Sequence, residues 1–471
     1  MAQDWLDVNA FKAAQVIDIY DGDQIRAAAS DHKRMVLCVL DRILRRFEAD
    51  GDYPFIDTKL SLITGKDFRA DDPIRGKGVI YGWIQGRGLE ALAGHLNWLR
   101  QQEDLGPTLR RDLEQRVLAM IQTVLASMEA MRRANGGRLF FMMTREGKPL
   151  QIVDGLVMPR SIGTDLPTSM ADMFYCKGLV AAGTALGESD VLNEACKLFH
   201  QVLSDIAAGR FYSDQQPMDP RNPVAPVPGR LSHGSRMIGL GACARFLECT
   251  GDSEFTRIGL EFIDHILSYH VNLTMSPEIG RPFDMWEFVD RHGRPWMEQG
   301  MLKSDPGHAT EFVGLSLKLI GLSEIMGTLN DKVLPKAQRF RELLPHVLAQ
   351  NFANGFAPTG FGIVKAYDLV ARKPINDHLP WWNLPETMRA AIEACFVVAT
   401  EQHRDRHARI AADCSNAFLK NFVRKDLGLM AAQTLDAEGA VVDVVPATPD
   451  ADPGYHTGLS MIDCLDLLAE E

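Results

Sequence analysis

Residues 305–312 read Asp-Pro-Gly-His-Ala-Thr-Glu-Phe, which sets an imidazole and a carboxylate three positions apart behind a helix-start signal. Asp305 suits the N-cap, and Pro306 suits the first helical position, where a missing N–H costs nothing. A cap alone accounts for that pattern. The chemical reading adds that His308 and Glu311 share one helical face. At a helix N-terminus the dipole disfavours an imidazolium by ~0.3–1 kcal/mol. A neutral His308 that can accept a proton is therefore expected, with Glu311 one turn on holding a ring nitrogen and selecting the tautomer. A second histidine, His456, follows Pro453, Gly454 and Tyr455 at another expected helix start. Two imidazoles facing each other across a cavity form a general acid/base pair. Arg87 is suited to a sugar oxygen or a developing oxyanion. Trp381 and Trp382 offer flat faces for stacking on a sugar ring, and equally suit a buried aromatic cluster.

Other histidines read as structural. His95, His200, His265, His270 and His346 lie within amphipathic helical patterns and are assigned to packing or surface roles. His403 and His407 are four apart, but the segment lacks the glutamate of the H-E-x-x-H zinc motif, so no metal site is expected there or elsewhere.

The elements that must position these groups are helices. LNEACKLFHQVLSDIAAG, SRMIGLGACARFLECTG, EFVGLSLKLIGLSEIMG and ETMRAAIEACFVVATEQ carry apolar residues at three- and four-residue spacing. Several are rich in Gly and Ala. Because Gly costs ~1 kcal/mol inside a helix, close helix–helix approach is the expected compensation. Three short stretches read instead as hairpins around charged turns, with turn glycines at 147, 293 and 439, a constant interval of 146 residues. Half of that interval, about 73 residues, accommodates two helices and their connections, and six such units nearly fill the 471-residue chain. The fold class expected is all-α: residues 1–471 as a single (α/α)6 barrel with short β-hairpins on one rim. Six inner-helix starts are then required, and six polar or aromatic clusters supply them: Trp83–Arg87, Ser169–Tyr175 with Asp172, Arg230–Arg236 with His233, His308–Glu311, Trp381–Glu386, and Tyr455–His456. If all begin on one rim, their side chains surround one concave mouth.

Composition sets the outer bounds. Hydrophobic residues make up 46% and charged residues 24%, enough for a large core in a soluble globular chain. A formal charge of −12 without a Lys/Arg stripe argues against nucleic acid as a partner. Eight cysteines without a C-x-x-C pair read as free thiols in a reducing compartment. Neither a signal peptide nor an apolar span is visible, so the expectation is a cytoplasmic protein with no membrane partner.

Several of these motifs together resemble the N-acylglucosamine 2-epimerase superfamily, which includes cellobiose 2-epimerases, mannose isomerases and sulfoquinovose isomerases. PGHATEF at 306–312 is similar to its P-G-H-x-x-E-W segment, WIQGR at 83–87 to its W-x-x-x-R, WWNLPE at 381–386 to its W-W-x-x-x-E, and PGYHTGLSM at 453–461 to its P-Y-H segment. RLSH at 230–233 falls where the family has a third-helix histidine, and REGKP and DRHGRP resemble its D-x-D-G-x-P turns. The resemblance implies an (α/α)6 barrel that epimerises or isomerises sugars without a cofactor, by proton exchange at C2 through a cis-enediol(ate). It implies His308 and His456 as the acid/base pair, Glu311 orienting His308, and Arg87 stabilising the enediolate oxygen. His233 would assist ring opening or bind the sugar, with Trp83, Asp172, Trp381, Trp382 and Glu386 around the substrate. The substrate would be a small sugar of the mannose type or related to it, and both monomer and homodimer stay open. The chain departs from the family pattern at Gly229, Arg236 and Phe312, positions that bear on substrate contacts. Two other readings stand beside this one. The first is a glycoside hydrolase or lyase on the same barrel, which would use Asp172, Glu311 and Glu386. The second is a sugar-binding homologue without activity.

Overall fold

The computed structural model describes residues 4–13, 16–163, 165–218, 226–274, 279–444 and 451–469. Twelve α-helices occur among them: α1 (Gly22–Ala49), α2 (Gly82–Gln101), α3 (Pro107–Ala134), α4 (Met170–Leu186), α5 (Ser189–Ala207), α6 (Gly234–Thr250), α7 (Ser253–His270), α8 (Pro306–Ile325), α9 (Leu334–Gly355), α10 (Asn383–Val397), α11 (Glu401–Ala417) and α12 (Ser460–Ala469). The even-numbered helices contact one another in sequence, and residues Tyr455–Leu459, just before α12, close the ring against α2. Each odd-numbered helix lies outside an even one, α3 on α2 through α11 on α10, with α1 on α12. This is an (α/α)6 barrel, as expected.

The two rings are built from different sequence patterns. Inner helix α4 is buried without interruption from Met170 to Gly183. Outer helix α5 buries only Ala195, Leu198, Phe199, Val202, Asp205 and Ile206, a single stripe at helical spacing. The inner-ring glycines permit close contact. A Cβ on Gly178 would lie 2.4 Å from the Gly86 carbonyl oxygen, and one on Gly86 would lie 2.7 Å from the Phe174 carbonyl carbon. Backbone approach between α2 and α4 offsets the cost of glycine in a helix.

The repeat is visible in the backbone. Gly147, Gly293 and Gly439 all have positive φ, at 86°, 76° and 85°, and their N–H groups return to the carbonyls of Thr144, Asp290 and Asp436. Each turn is flanked by a bridge of the same offset: Met143 with Pro149, Val289 with Pro295, Leu435 with Val441. Five of the six expected inner-helix starts fall within a few residues of the observed ones. The sixth differs in kind. His456 sits in a π-helical turn over Tyr455–Leu459, entered through Gly454 at φ 82°, and α12 begins only at Ser460. Of the rim loop 211–229, residues 219–225 lie outside the described residues. No described helix is long and apolar enough to cross a membrane. All eight cysteines are free thiols, five of them buried.

Candidate active site

The mouths of the inner helices enclose a cavity of about 900 Å³. Its lining includes Trp83, Arg87, His308, Glu311, Trp381, Trp382 and His456. Trp382 is close to both histidines, its ring centroid 5.4 Å from that of His308 and 5.8 Å from that of His456.

His308 is the third residue of α8. Asp305 caps that helix through the His308 N–H (3.3 Å), and its other carboxylate oxygen lies 3.4 Å from His308 Nδ1. The same Asp305 oxygen accepts from Lys365 Nζ at 2.6 Å. The closer partner of His308 Nδ1 is Glu287 Oε2, at 3.1 Å. Glu287 Oε2 also accepts from His233 Nε2, at 3.2 Å. Burial disfavours an imidazolium at His308, but the charges of Asp305 and Glu287 outweigh it and raise the pKa above its ordinary value. Two expectations are corrected here. Glu287, not Glu311, orients His308; among the described residues no hydrogen bond joins Glu311 to that ring. The helix dipole does not keep His308 neutral either, because two full carboxylate charges exceed the partial charge of a helix end.

His456 is held differently. Its Nδ1 donates to Glu386 Oε1 at 2.8 Å, and Ser460 Oγ donates to the same oxygen at 2.7 Å. Arg389 takes the other oxygen, at 2.5 Å. Burial works against a charged Glu386, but Arg389, His456 and Ser460 prevail and bring its pKa down to about 2. With both Nδ1 atoms engaged by carboxylates, each ring has Nε2 left for a substrate.

Arg87 has its guanidinium carbon 4.0 Å from the centre of the Phe174 ring and 5.5 Å from that of Tyr455. Its Nε and the indole Nε1 of Trp381 are buried donors without a protein partner, and both residues line the cavity. Trp83 is fixed by its Nε1 donating to Asp214 at 3.0 Å. Glu311 lines the cavity floor, and burial together with the nearby Glu386 charge raises its pKa.

Three expected substrate contacts lie behind the wall instead. Asp172 is buried in a capping box at the start of α4. It accepts the N–H groups of Leu139 and Ser169 at 3.0 Å each, and burial pushes its pKa up to about 7. His233 is buried behind Glu287. Glu386 is buried behind His456. Conversely, His265 and His270, assigned to packing or surface, line the cavity. The His270 ring stacks edge-on against His233 at 5.1 Å. Of the departures from the family pattern, Arg236 lines the cavity, Phe312 is core, and Gly229 takes φ 80° in a turn.

Sequence reasoning missed Glu287. The signal available is a lone carboxylate inside the apolar run Met285–Val289, at a position where the other two hairpin repeats carry Phe141 and Gln433. No metal site was expected, yet the ligand atoms of His233, Glu287 and His308 lie within 4.8 Å of one another, spacing compatible with a metal ion. The two imidazole–carboxylate hydrogen bonds account for that convergence.

No protein-family model matches this chain, and no curated protein matches it. Solved structures do. A sugar epimerase from a ruminal bacterium matches with TM-score 0.65 and 12% identity over 93% of this chain and 98% of that one. The cellobiose 2-epimerase of Bacillus thermoamylovorans B4167 matches with TM-score 0.63 and 11% identity over 94% and 99%. A D-mannose isomerase matches with TM-score 0.57 and 12% identity over 92% and 97%. A possible member of the GH105 family from Salmonella enterica shares the barrel at TM-score 0.51 and 10% identity, over 94% and 95%. At these identities the likeness establishes the fold, and the first three are sugar epimerases and isomerases of the kind the motifs resemble.

Proposed function

We propose that this chain is a carbohydrate epimerase or aldose–ketose isomerase that moves a proton at C2 of an open-chain sugar between two imidazoles. One observation carries the reading: His308 and His456 line a single cavity beside Trp382, each with Nδ1 held by a buried carboxylate. Trp382 offers the flat face on which a sugar would lie. One imidazole Nε2 takes the C2 proton, and the electron pair moves into a C1–C2 double bond as the carbonyl oxygen becomes an enediolate oxygen. Arg87 stabilises that oxygen. Delivery of a proton to the opposite face of C2 by the other imidazole gives the epimer, and delivery to C1 gives the ketose. The histidines and carboxylates of this chain suffice for the proton transfers, with no cofactor needed. A mannose-type or related sugar is the substrate class that the resemblance favours, and residues 1–471 serve one catalytic unit.

A glycosidase reading needs two opposed carboxylates free to act. Asp172 is occupied with backbone N–H groups, and Glu386 with His456, Ser460 and Arg389, which leaves Glu311 alone of the trio named for that role. The test is incubation with mannose, glucose, fructose, N-acetylmannosamine, cellobiose and mannobiose in D2O, read by NMR. Deuterium at C2 of an epimeric aldose marks epimerisation, and deuterium at C1 of a ketose product marks isomerisation. Glycoside cleavage without exchange would replace this reading with the hydrolase, and tight binding without exchange would replace it with a sugar-binding protein.

A further inference from the structure

The inner helices carry charge along the barrel axis, below the substrate cavity. On α8 the axial stripe is Glu311, Leu315 and Lys318, and on α10 it is Glu386, Arg389 and Glu393, each at the spacing of one helical face. A second cavity of about 40 Å³ lies there, lined by Glu311, Leu315, Lys318, Gly241, Arg389 and Tyr455 among others. That volume admits a few water molecules, at ~10–15 Å³ each by this measure. Two ion-pair chains flank it. One runs from His456 through Glu386, Arg389 and Asp463 to Lys318, whose side chain is 26% exposed. The other runs from Tyr455 through Lys177 (2.5 Å), Glu90 (3.0 Å) and Arg245 (3.3 Å) to Glu248, 38% exposed. Both lead away from the substrate. Seven residues of helix, from Glu311 to Lys318, span ~10 Å.

Among the described residues Glu311 is the one that lines both cavities. Burying so many charges on an axis is costly, and an apolar core would serve the fold as well or better. A two-base epimerisation supplies a use. Each turnover leaves the proton on the imidazole that must next act as base, and the imidazole that must next act as acid is left without one. A path that avoids the mouth lets the pair be reset by proton exchange even while substrate or product covers it. We propose that the barrel axis is a proton path to solvent on the side opposite the substrate, with Glu311 as the group that passes protons between the substrate cavity and the axial one. This rests on the proton-transfer function above. Protons alone move along it: Glu311 takes one from the substrate side and releases one to the axial cavity, so no bond to carbon changes.

The experiment is partial conversion of sugar carrying deuterium at C2, in ordinary water, reading the label retained in the recovered substrate against the product formed, since in a two-base step the product takes its proton from the other imidazole. Retention at a given conversion is a ratio, so a partly folded sample does not shift it. Leu315→Phe, which fills the axial cavity, and Lys318→Met, which removes the charge at its exit, should each raise retention. Glu311→Gln, which cannot carry a proton, should raise it most. Retention equal to wild type in all three variants overturns the proposal. If the wild-type protein exchanges no label with any sugar, the proton-transfer function itself fails. Exchange in wild type with unchanged retention in the variants removes only the axial path.

Discussion

The two histidine centres solve one problem with opposite electrostatics. His308 sits at an ordinary helix start, its side chain 28% exposed, beside two carboxylates, and one of these is shared with His233. His456 sits in a π-helical turn, its side chain 7% exposed, beside one carboxylate that is itself gripped by Arg389. The charges of Asp305 and Glu287 together raise the His308 pKa, while Glu386, itself paired with Arg389, holds the His456 ring. Two imidazoles can then act in sequence without being chemically identical.

The largest expected effect is on the rings themselves. His308→Ala and His456→Ala should each lower deuterium exchange by about 10²–10⁴-fold, the usual worth of a general acid or base. Equal residual exchange in both would support a single two-base unit, and full exchange in either would remove that ring from the pair. Arg87→Met should cost about 10²–10³-fold in kcat if the guanidinium meets the enediolate oxygen. A loss confined to KM would reassign it to ground-state binding.

Glu287→Gln tests the asymmetry. The base form of His308 is neutral, so activity falls as pH drops through a pKa that lies above the ordinary value. Removing the Glu287 charge lowers that pKa, so the acidic limb of kcat/KM moves to lower pH. The lost charge-assisted hydrogen bond should also cost roughly 1.5–3 kcal/mol in transition-state stabilisation. An unmoved limb would leave Asp305 as the group that sets the His308 proton affinity. Asp172→Ala should be milder and of a different kind: melting temperature falls with the loss of a cap worth ~1 kcal/mol, and kcat/KM changes little. A kcat loss without a stability loss would return Asp172 to the site. Dialysis against a chelator should have no effect on exchange, and lost activity restored by a divalent ion would make His233, Glu287 and His308 a metal centre.

The barrel was legible because its signals are local. Periodicity, inner-ring glycine and the 146-residue interval between turn glycines are all written along the chain. The residues of the mouth were legible as types, and His308, His456, Arg87, Trp83, Trp381 and Trp382 do meet in one cavity. What was not legible is pairing across the ring. The partner of His308 lies 21 residues upstream, just before a hairpin strand, and that of His456 lies 70 residues upstream, separations that only the closed barrel brings together. The neighbour at i+3, Glu311, was the natural candidate from sequence, but it points to the floor, where two cavities meet. Asp172 was grouped with the mouth because it too begins an inner helix, and its acceptors were spent on the backbone.

The constant hairpin interval has one more consequence. His308 follows its turn glycine by 15 residues and His456 follows its own by 17, so the two rings hold nearly the same address in consecutive copies of one unit. Copies arranged around an axis present a given address from different compass bearings. A planar intermediate held on that axis would meet the same kind of side chain from two directions, which is the stereochemical requirement for inverting a carbon. In this chain a fold made by repetition brings two imidazoles, at nearly one address in successive copies, to the wall of a single cavity.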